Sequence, residues 1–245
     1  MGRILEVGLI MNKKYYLAAI FAVLTSLFIY EIIFSNNTVS AEKKTENKTI
    51  LDQADKVMIV AHADDDLLWG GMHLIKDHYL VVCVTCGFNE LRLKEFEKAM
   101  DKVNSPYLAL GHTETENGHA SNWYGEYDEI AQELSGIVNY KKWDQIVTHN
   151  PDGEYGHRHH RWISNMVTSA SSKVNLYYFD RYREKTEDVL MTSEQLELLK
   201  LKEEYLKVYE SQSAIVDNHR HTIMHENFIS YYDWDNETKL NGEIK

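Results

Sequence analysis

Two clusters of metal-capable side chains stand out in this sequence of 245 residues. The first is His62, Asp64, Asp65 and Asp66, directly after the apolar run Val57 to Ala61. His62 and Asp65 offer an imidazole and a carboxylate, ligand types suited to zinc. Asp64, between them, is free to stay off a metal and act as a base. The second cluster lies in the stretch Asn150-Pro151-Asp152-Gly153-Glu154-Tyr155-Gly156-His157-Arg158-His159-His160. A helix beginning near His157 puts His157 and His160 on one face. His159, about 100° round from His160, should point elsewhere. A set of His62, Asp65 and His160 leaves coordination positions open for water and substrate, the mark of a catalytic zinc. Another divalent transition metal suits the same donors. Each cluster alone is also what a polar turn at a helix N-terminus looks like; the pair carries the signal. For His112, His119, His219, His221 and His225 the plainer reading is a solvated surface.

The elements that must position these residues follow from the pattern. Val57 to Ala61 is short, continuous and β-branched, as in a central parallel strand. A helix over Asp65 to His78 and a strand over Tyr79 to Thr85 complete a parallel strand–helix–strand unit. Next come a helix over Leu91 to Val103 with Leu93, Phe96 and Met100 inward, and a strand over Tyr107 to Leu110. A helix over Glu126 to Asn139 leads to a strand over Trp143 to Thr148, which ends at His149-Asn150-Pro151. A helix from His157 to Ser169, a strand over Leu176 to Phe179 and a long helix from Thr192 to Ser211 follow. That last helix should turn Leu196, Leu199, Leu206 and Tyr209 inward. From Ala214 the pattern weakens. Alternating strands and helices specify an α/β sandwich of three layers with a mostly parallel central sheet. Both clusters then follow strand ends, on the rim where such sheets bind ligands.

Lys and Arg number 26 against 38 Asp and Glu, a net charge of −12. With no long basic run, the chain is not a nucleic-acid binder. Cys83 and Cys86 form a Cys-x-x-Cys spacing with no second pair to complete a four-thiolate site. A strand would send them to opposite faces as buried, inert thiols. Near the N-terminus, Arg3, Lys13 and Lys14 precede the uncharged run Tyr15 to Tyr30. Residues 1–34 are thus either a signal peptide or a membrane anchor, with the rest of the chain facing outward. Residues 35–54 read as a polar linker, and 55–245 as the folded domain.

The chain resembles the PIG-L or LmbE family of zinc-dependent N-acetylglucosaminyl de-N-acetylases. The family's Ala/Pro-His-Pro-Asp-Asp motif is matched by Ala61-His62-Ala63-Asp64-Asp65, and its Gly-His-x-x-His motif by Gly156-His157-Arg158-His159-His160. The likeness extends to Thr85-x-Gly87, Arg92-x-x-Glu95, Leu110-Gly111 and Tyr209-x-Ser211-Gln212. It implies a Rossmann-like fold, zinc on His62, Asp65 and His160, Asp64 as general base and His157 as the charge-stabilising partner. Tyr155 falls where some relatives carry a mobile tyrosine over the site, and Arg92 where the family contacts substrate. The sequence departs from the family at Ala63, at His159 (an aspartate in many relatives, able to tune His157) and at Glu114 (an aspartate that binds a sugar hydroxyl). The implied substrate is an N-acetylated sugar or glycolipid, and the implied setting an extracytoplasmic enzyme, membrane-anchored or secreted, at a bacterial cell envelope. Rival readings are a non-catalytic sugar-binding domain on the same fold and a metal-dependent phosphoesterase.

Overall fold

The computed structural model describes residues 48–185 and 189–235. The apolar run Tyr15–Tyr30 and residues 35–47 of the linker lie outside them. No helix among the described residues is long and apolar enough to cross a membrane. In chain order the elements are β1 (Lys56–Val60), α1 (Asp65–Lys76), β2 (Tyr79–Cys83), α2 (Glu90–Val103) and β3 (Tyr107–Ala109). A small hairpin, β4 (Thr115–Glu116) and β5 (His119–Ala120), precedes α3 (Tyr127–Val138), β6 (Gln145–Thr148), α4 (Arg158–Ala170) and β7 (Leu176–Phe179). The chain continues through α5 (Ser193–Tyr205), α6 (Ser213–His219) and β8 (Phe228–Ser230).

The six-stranded sheet has the order β3-β2-β1-β6-β7-β8. All neighbours run parallel except β7 and β8. Because strand side chains alternate, β1 feeds two cores. Val57 and Ile59 join Leu80, Val82, Ile146 and the apolar sides of α3 and α4. Met58 and Val60 join Val81, Cys83 and the apolar sides of α1 and α2. The result is the expected three-layer α/β sandwich, and a strand covered on both faces accounts for the unbroken apolar run. The chain winds outward from β1 through β2 to β3, then restarts on the other side of β1 with β6. That reversal opens a crevice at the carboxyl ends of β1 and β6.

Several elements differ from the sequence reading. Leu51 and Ala54 are buried in the core, so packing begins inside the stretch read as linker. Cys86 sits in a short 3-10 turn after β2, so strand alternation does not govern it. Both thiols fall in one apolar cluster, unpaired, and burial pushes the Cys83 thiol up. The long helix ends at Tyr205 and passes into two 3-10 turns. Leu206 and Tyr209 are buried as expected, whereas Leu196 is exposed. The hairpin, α6 and β8 carry no sequence periodicity long enough to be read.

Helix α5 buries one residue, Lys202. Its Nζ donates to the Leu68 and Ile223 carbonyls, 2.9 Å each, and to Glu226 at 2.6 Å. Glu226 also accepts the Met72 and His73 backbone N–H groups at 3.0 and 2.8 Å. The close crossing needs Gly71, where a Cβ would stand 2.9 Å from Lys202 Cγ. One buried ion pair thus ties α1, α5 and the segment before β8 together. Removing one partner of such a pair strands the other charge in a dry interior. Glu226→Ala and Lys202→Met are each expected to lose about 3–5 kcal/mol in urea unfolding, since each leaves the other buried charge without its partner. Losses in both variants no larger than those of an exposed ion pair would show that the pair is not the tie.

Candidate metal centre

Strand β1 lies beside β6 with Ile59 opposite Thr148, so the chain leaves both strands on the same rim. After β6 the loop turns tightly: Gly153 N–H donates to the Asn150 carbonyl and Glu154 N–H to Asn150 Oδ1. Gly153 has φ 73°, and a Cβ there would meet the His157 carbonyl at 2.6 Å. Glu154 takes a left-handed φ of 52°, which turns its buried carboxylate toward the two strand ends.

Three donor atoms meet in the crevice. His62 Nδ1 lies 3.1 Å from Asp65 Oδ2, His160 Nε2 lies 3.3 Å from the same oxygen, and the two nitrogens are 3.3 Å apart. Zinc bonds of about 2.0–2.2 Å at tetrahedral angles separate neighbouring donors by roughly 3.3–3.5 Å. The triangle therefore has the size of one metal face.

Hydrogen bonds fix which nitrogens carry protons. The Ser121 carbonyl, 2.7 Å from His159 Nε2, can only accept, so His159 Nε2 carries hydrogen. His159 Nδ1, as acceptor, then takes the N–H of His62 Nε2 at 2.9 Å. That leaves the His62 Nδ1 lone pair facing Asp65. On the other side Glu154 Oε2 accepts from His160 Nδ1 at 2.5 Å and from His149 Nδ1 at 2.9 Å. His149 Nε2 accepts the Ala61 N–H at 2.9 Å, so this imidazole, although near Asp65, has no lone pair left to ligate. Trp69 Nε1 donates to Asp65 Oδ1 at 3.0 Å and turns Oδ2 toward the histidines. The donor chemistry fits a divalent cation: two imidazole lone pairs, one carboxylate oxygen, and a buried Glu154 behind one of the ligands.

The electrostatics agree. Burial opposes charge on Asp65, but His160, His149 and His62 outweigh it and hold Asp65 well below the usual carboxylate range. Burial likewise opposes charge on Glu154, which His149 and His160 bring down to about 2. Burial alone would depress His160; Asp65 and Glu154 instead raise it to about 10, so without metal it carries the balancing proton.

Asp64, His157, Tyr155, Arg92 and Glu114 line one cleft of about 230 Å³ beside the triangle, with Gln212 and Ile215 at its edge. Asp64 precedes α1 with φ 153°, a strained geometry that persists only where the surroundings impose it. Burial, then the Asp65 charge, raise its carboxyl well above the ordinary value, with Arg92 pulling the other way. Arg92 donates to the Ala63 carbonyl at 2.9 Å and lies 3.3 Å from Glu114 and 3.7 Å from Asp64. Burial, then His160 and His62, lower His157 to about 2, which makes it a neutral imidazole. Its buried Nδ1 has no hydrogen-bond partner among the described residues. Tyr155 stacks on His219 at 4.3 Å, and burial raises its hydroxyl, keeping it protonated.

Other residues read differently from the sequence. His159 does not point away; the ring of His62 lies between His159 and His160 and meets one with each nitrogen. His219 is buried, and His112 pairs with Glu133 at 2.8 Å and Glu126 at 3.5 Å, so neither belongs to a solvated surface. Glu95 holds Ser211 by its N–H at 2.8 Å and its hydroxyl at 2.6 Å. Tyr209 donates to Asp66 at 2.8 Å. Burial first, and then Asp65, raise Asp66 to about 7. Glu154 and His149 are the functional candidates that the sequence reading missed. Their one signal was a carboxylate in a Gly-flanked loop shortly before a histidine pair.

No family model matches the chain. An uncharacterized protein of Acanthamoeba polyphaga mimivirus is 27% identical over 202 residues, 73% of this chain and 80% of its own length. Among solved structures, the A40926 pseudoaglycone deacetylase Dbv21 superposes with a TM-score of 0.51 at 14% identity, over 68% of this chain and 86% of that one. The likeness is one of fold. The 4-carboxy-2-hydroxymuconate hydratase GalB of Pseudomonas putida KT2440 gives a TM-score of 0.48 at 10% identity, over 68% of this chain and 83% of its own. The chain therefore shares the fold of the Dbv21 structure, and among the described residues it has a His/Asp cluster able to hold a metal ion.

The raised His160 makes a signed prediction. A folded-state pKa above the unfolded one gives stability that is complete below about pH 6.5 and lost as pH rises through about 10. In metal-free protein, the stability gap between wild type and His160→Gln should therefore narrow over that interval in urea titrations. A gap that stays constant across it rejects the proton assignment.

Proposed function

We propose that this chain is a metal-dependent hydrolase that removes the acetyl group from an N-acetylglucosamine-type sugar or glycoconjugate. The observation that carries the reading is the triangle of His62 Nδ1, Asp65 Oδ2 and His160 Nε2, with strained Asp64 beside it. His62, Asp65 and His160 would hold a zinc ion there, which would supply Lewis acidity toward an acetyl carbonyl and a bound water. Asp64 takes the proton of the attacking water and passes it to the leaving amine, a task suited to a carboxyl whose pKa burial and the Asp65 charge raise above the ordinary carboxylate value. His157, as a neutral imidazole, donates its N–H to the carbonyl oxygen as negative charge builds there. The protonated Tyr155 hydroxyl is a second donor at the mouth of the cleft. Arg92 restrains Asp64 and, with Glu114, offers a charged pair to sugar hydroxyls. The products are acetate and a free amino sugar. The deacetylase-like fold supports the reaction class, and the resemblance in the two motifs supports the sugar. The basic-then-apolar N-terminus supports an outward-facing enzyme acting on an envelope glycan or glycolipid, tied to the membrane if that segment is retained.

Asp64 and Asp65 separate in the test. Purified full-length protein is assayed for bound zinc and for acetate release from a panel of N-acetylglucosamine conjugates. Asp65→Ala should lose metal and activity together. Asp64→Asn should keep both metal and substrate binding while turnover falls about 100- to 10000-fold. Wild-type turnover in Asp64→Asn ends the general-base role. A variant inactive only because it holds no zinc makes Asp64 a ligand instead.

A further inference from the structure

The position of His159 has a consequence for the neighbouring ligand. Its ring stacks on Trp123 at 4.1 Å between centroids, 5° from parallel. Trp123 is buried, yet has a left-handed φ of 48°, an uncommon backbone for so large a side chain. Its N–H donates to Ser121 Oγ at 3.1 Å and its indole to the Thr113 carbonyl at 2.7 Å. Ser121 N–H in turn donates to the Glu114 carbonyl at 2.9 Å. The hairpin β4–β5 and the turn after it are thus knitted into a platform with two outputs. Glu114, Thr115 and Ala120 face the cleft, and the Ser121 carbonyl and Trp123 ring hold His159.

We propose that His159 is a positioning residue that acts through His62, fixing its proton on Nε2 so that Nδ1 is offered to the metal. The inference rests on the metal-centre reading above. The alternative arrangement shows why a lock is useful. With the His62 proton on Nδ1, that hydrogen would lie between Nδ1 and Asp65 Oδ2, 3.1 Å apart, where the cation must sit. An isolated imidazole populates both tautomers; an acceptor held at Nε2 selects one. The Ser121 carbonyl, being acceptor-only, selects the same state of His159 one step earlier. The aspartate expected from the resemblance would tune His157. Here the hydrogen bond of this residue goes to His62, which makes the substitution a change of client.

Three measurements test this on the full chain. Nitrogen-15 spectra of the histidines in metal-free wild type should show His62 with hydrogen on Nε2. His159→Phe keeps a ring for Trp123 and removes the acceptor. It should leave His62 a mixture of tautomers and weaken zinc binding about 10- to 100-fold in competition with a chromophoric chelator. His159→Gln, whose amide oxygen can accept from His62, should recover most of the affinity. A metal-free wild type with His62 protonated on Nδ1 overturns the proposal, and that spectrum needs no variant to fold. Unchanged affinity in His159→Phe also overturns it. Wild type that shows the expected tautomer but binds no zinc refutes the metal reading and leaves the lock standing, so the two failures are distinguishable.

Discussion

The parallel pairing of β1 with β6 sets the terms for the rest of the molecule. It brings His62 and Asp65 to His149, Glu154 and His160, although His62 and His160 are 98 positions apart in the chain. Both strands are buried on both faces, so neither can slip by one residue without turning its core side chains over. That rigidity holds the donor triangle in place without help from a disulfide or a long loop.

Around the triangle, polar groups are spent with little left over. Glu154 balances two imidazoles, Trp69 takes the spare oxygen of Asp65, and His159 takes the spare nitrogen of His62. A buried network of this kind is favourable only when each member is satisfied. Here the need for a cationic charge among three converging donors falls where the proton of His160 or a metal ion can meet it. His157, with a buried nitrogen that no protein group reaches, stands on the cleft side of the same network, where a substrate oxygen can meet it.

Much of this was legible in the sequence. The unbroken, β-branched run Val57 to Ala61 suits a doubly covered strand better than a helix, and His62, Asp64, Asp65, His157 and His160 are visible by type and spacing. What could not be read depends on contacts between distant segments. Glu154 acts only because a left-handed backbone turns it inward, and sequence pattern does not encode that at a non-glycine residue. On an isolated helix His159 points away from His160, about 100° round. In the fold one imidazole, His62, bridges two successive positions of α4, and Trp123 arrives from a separate hairpin. No proline or glycine marks the end of α5, so the sequence pattern runs on past Tyr205. The change to 3-10 turns is imposed by burial of Leu206 and Tyr209.

The edges of the sheet carry a consequence for assembly. Strands β3 and β8 have only three residues each, and β8 runs against its neighbour. An edge so short presents few unpaired backbone groups, a poor template for another chain's strand. Among the described residues, helix faces and loops are better suited than these edges to receive further protein, and a misfolded neighbour finds little here to extend.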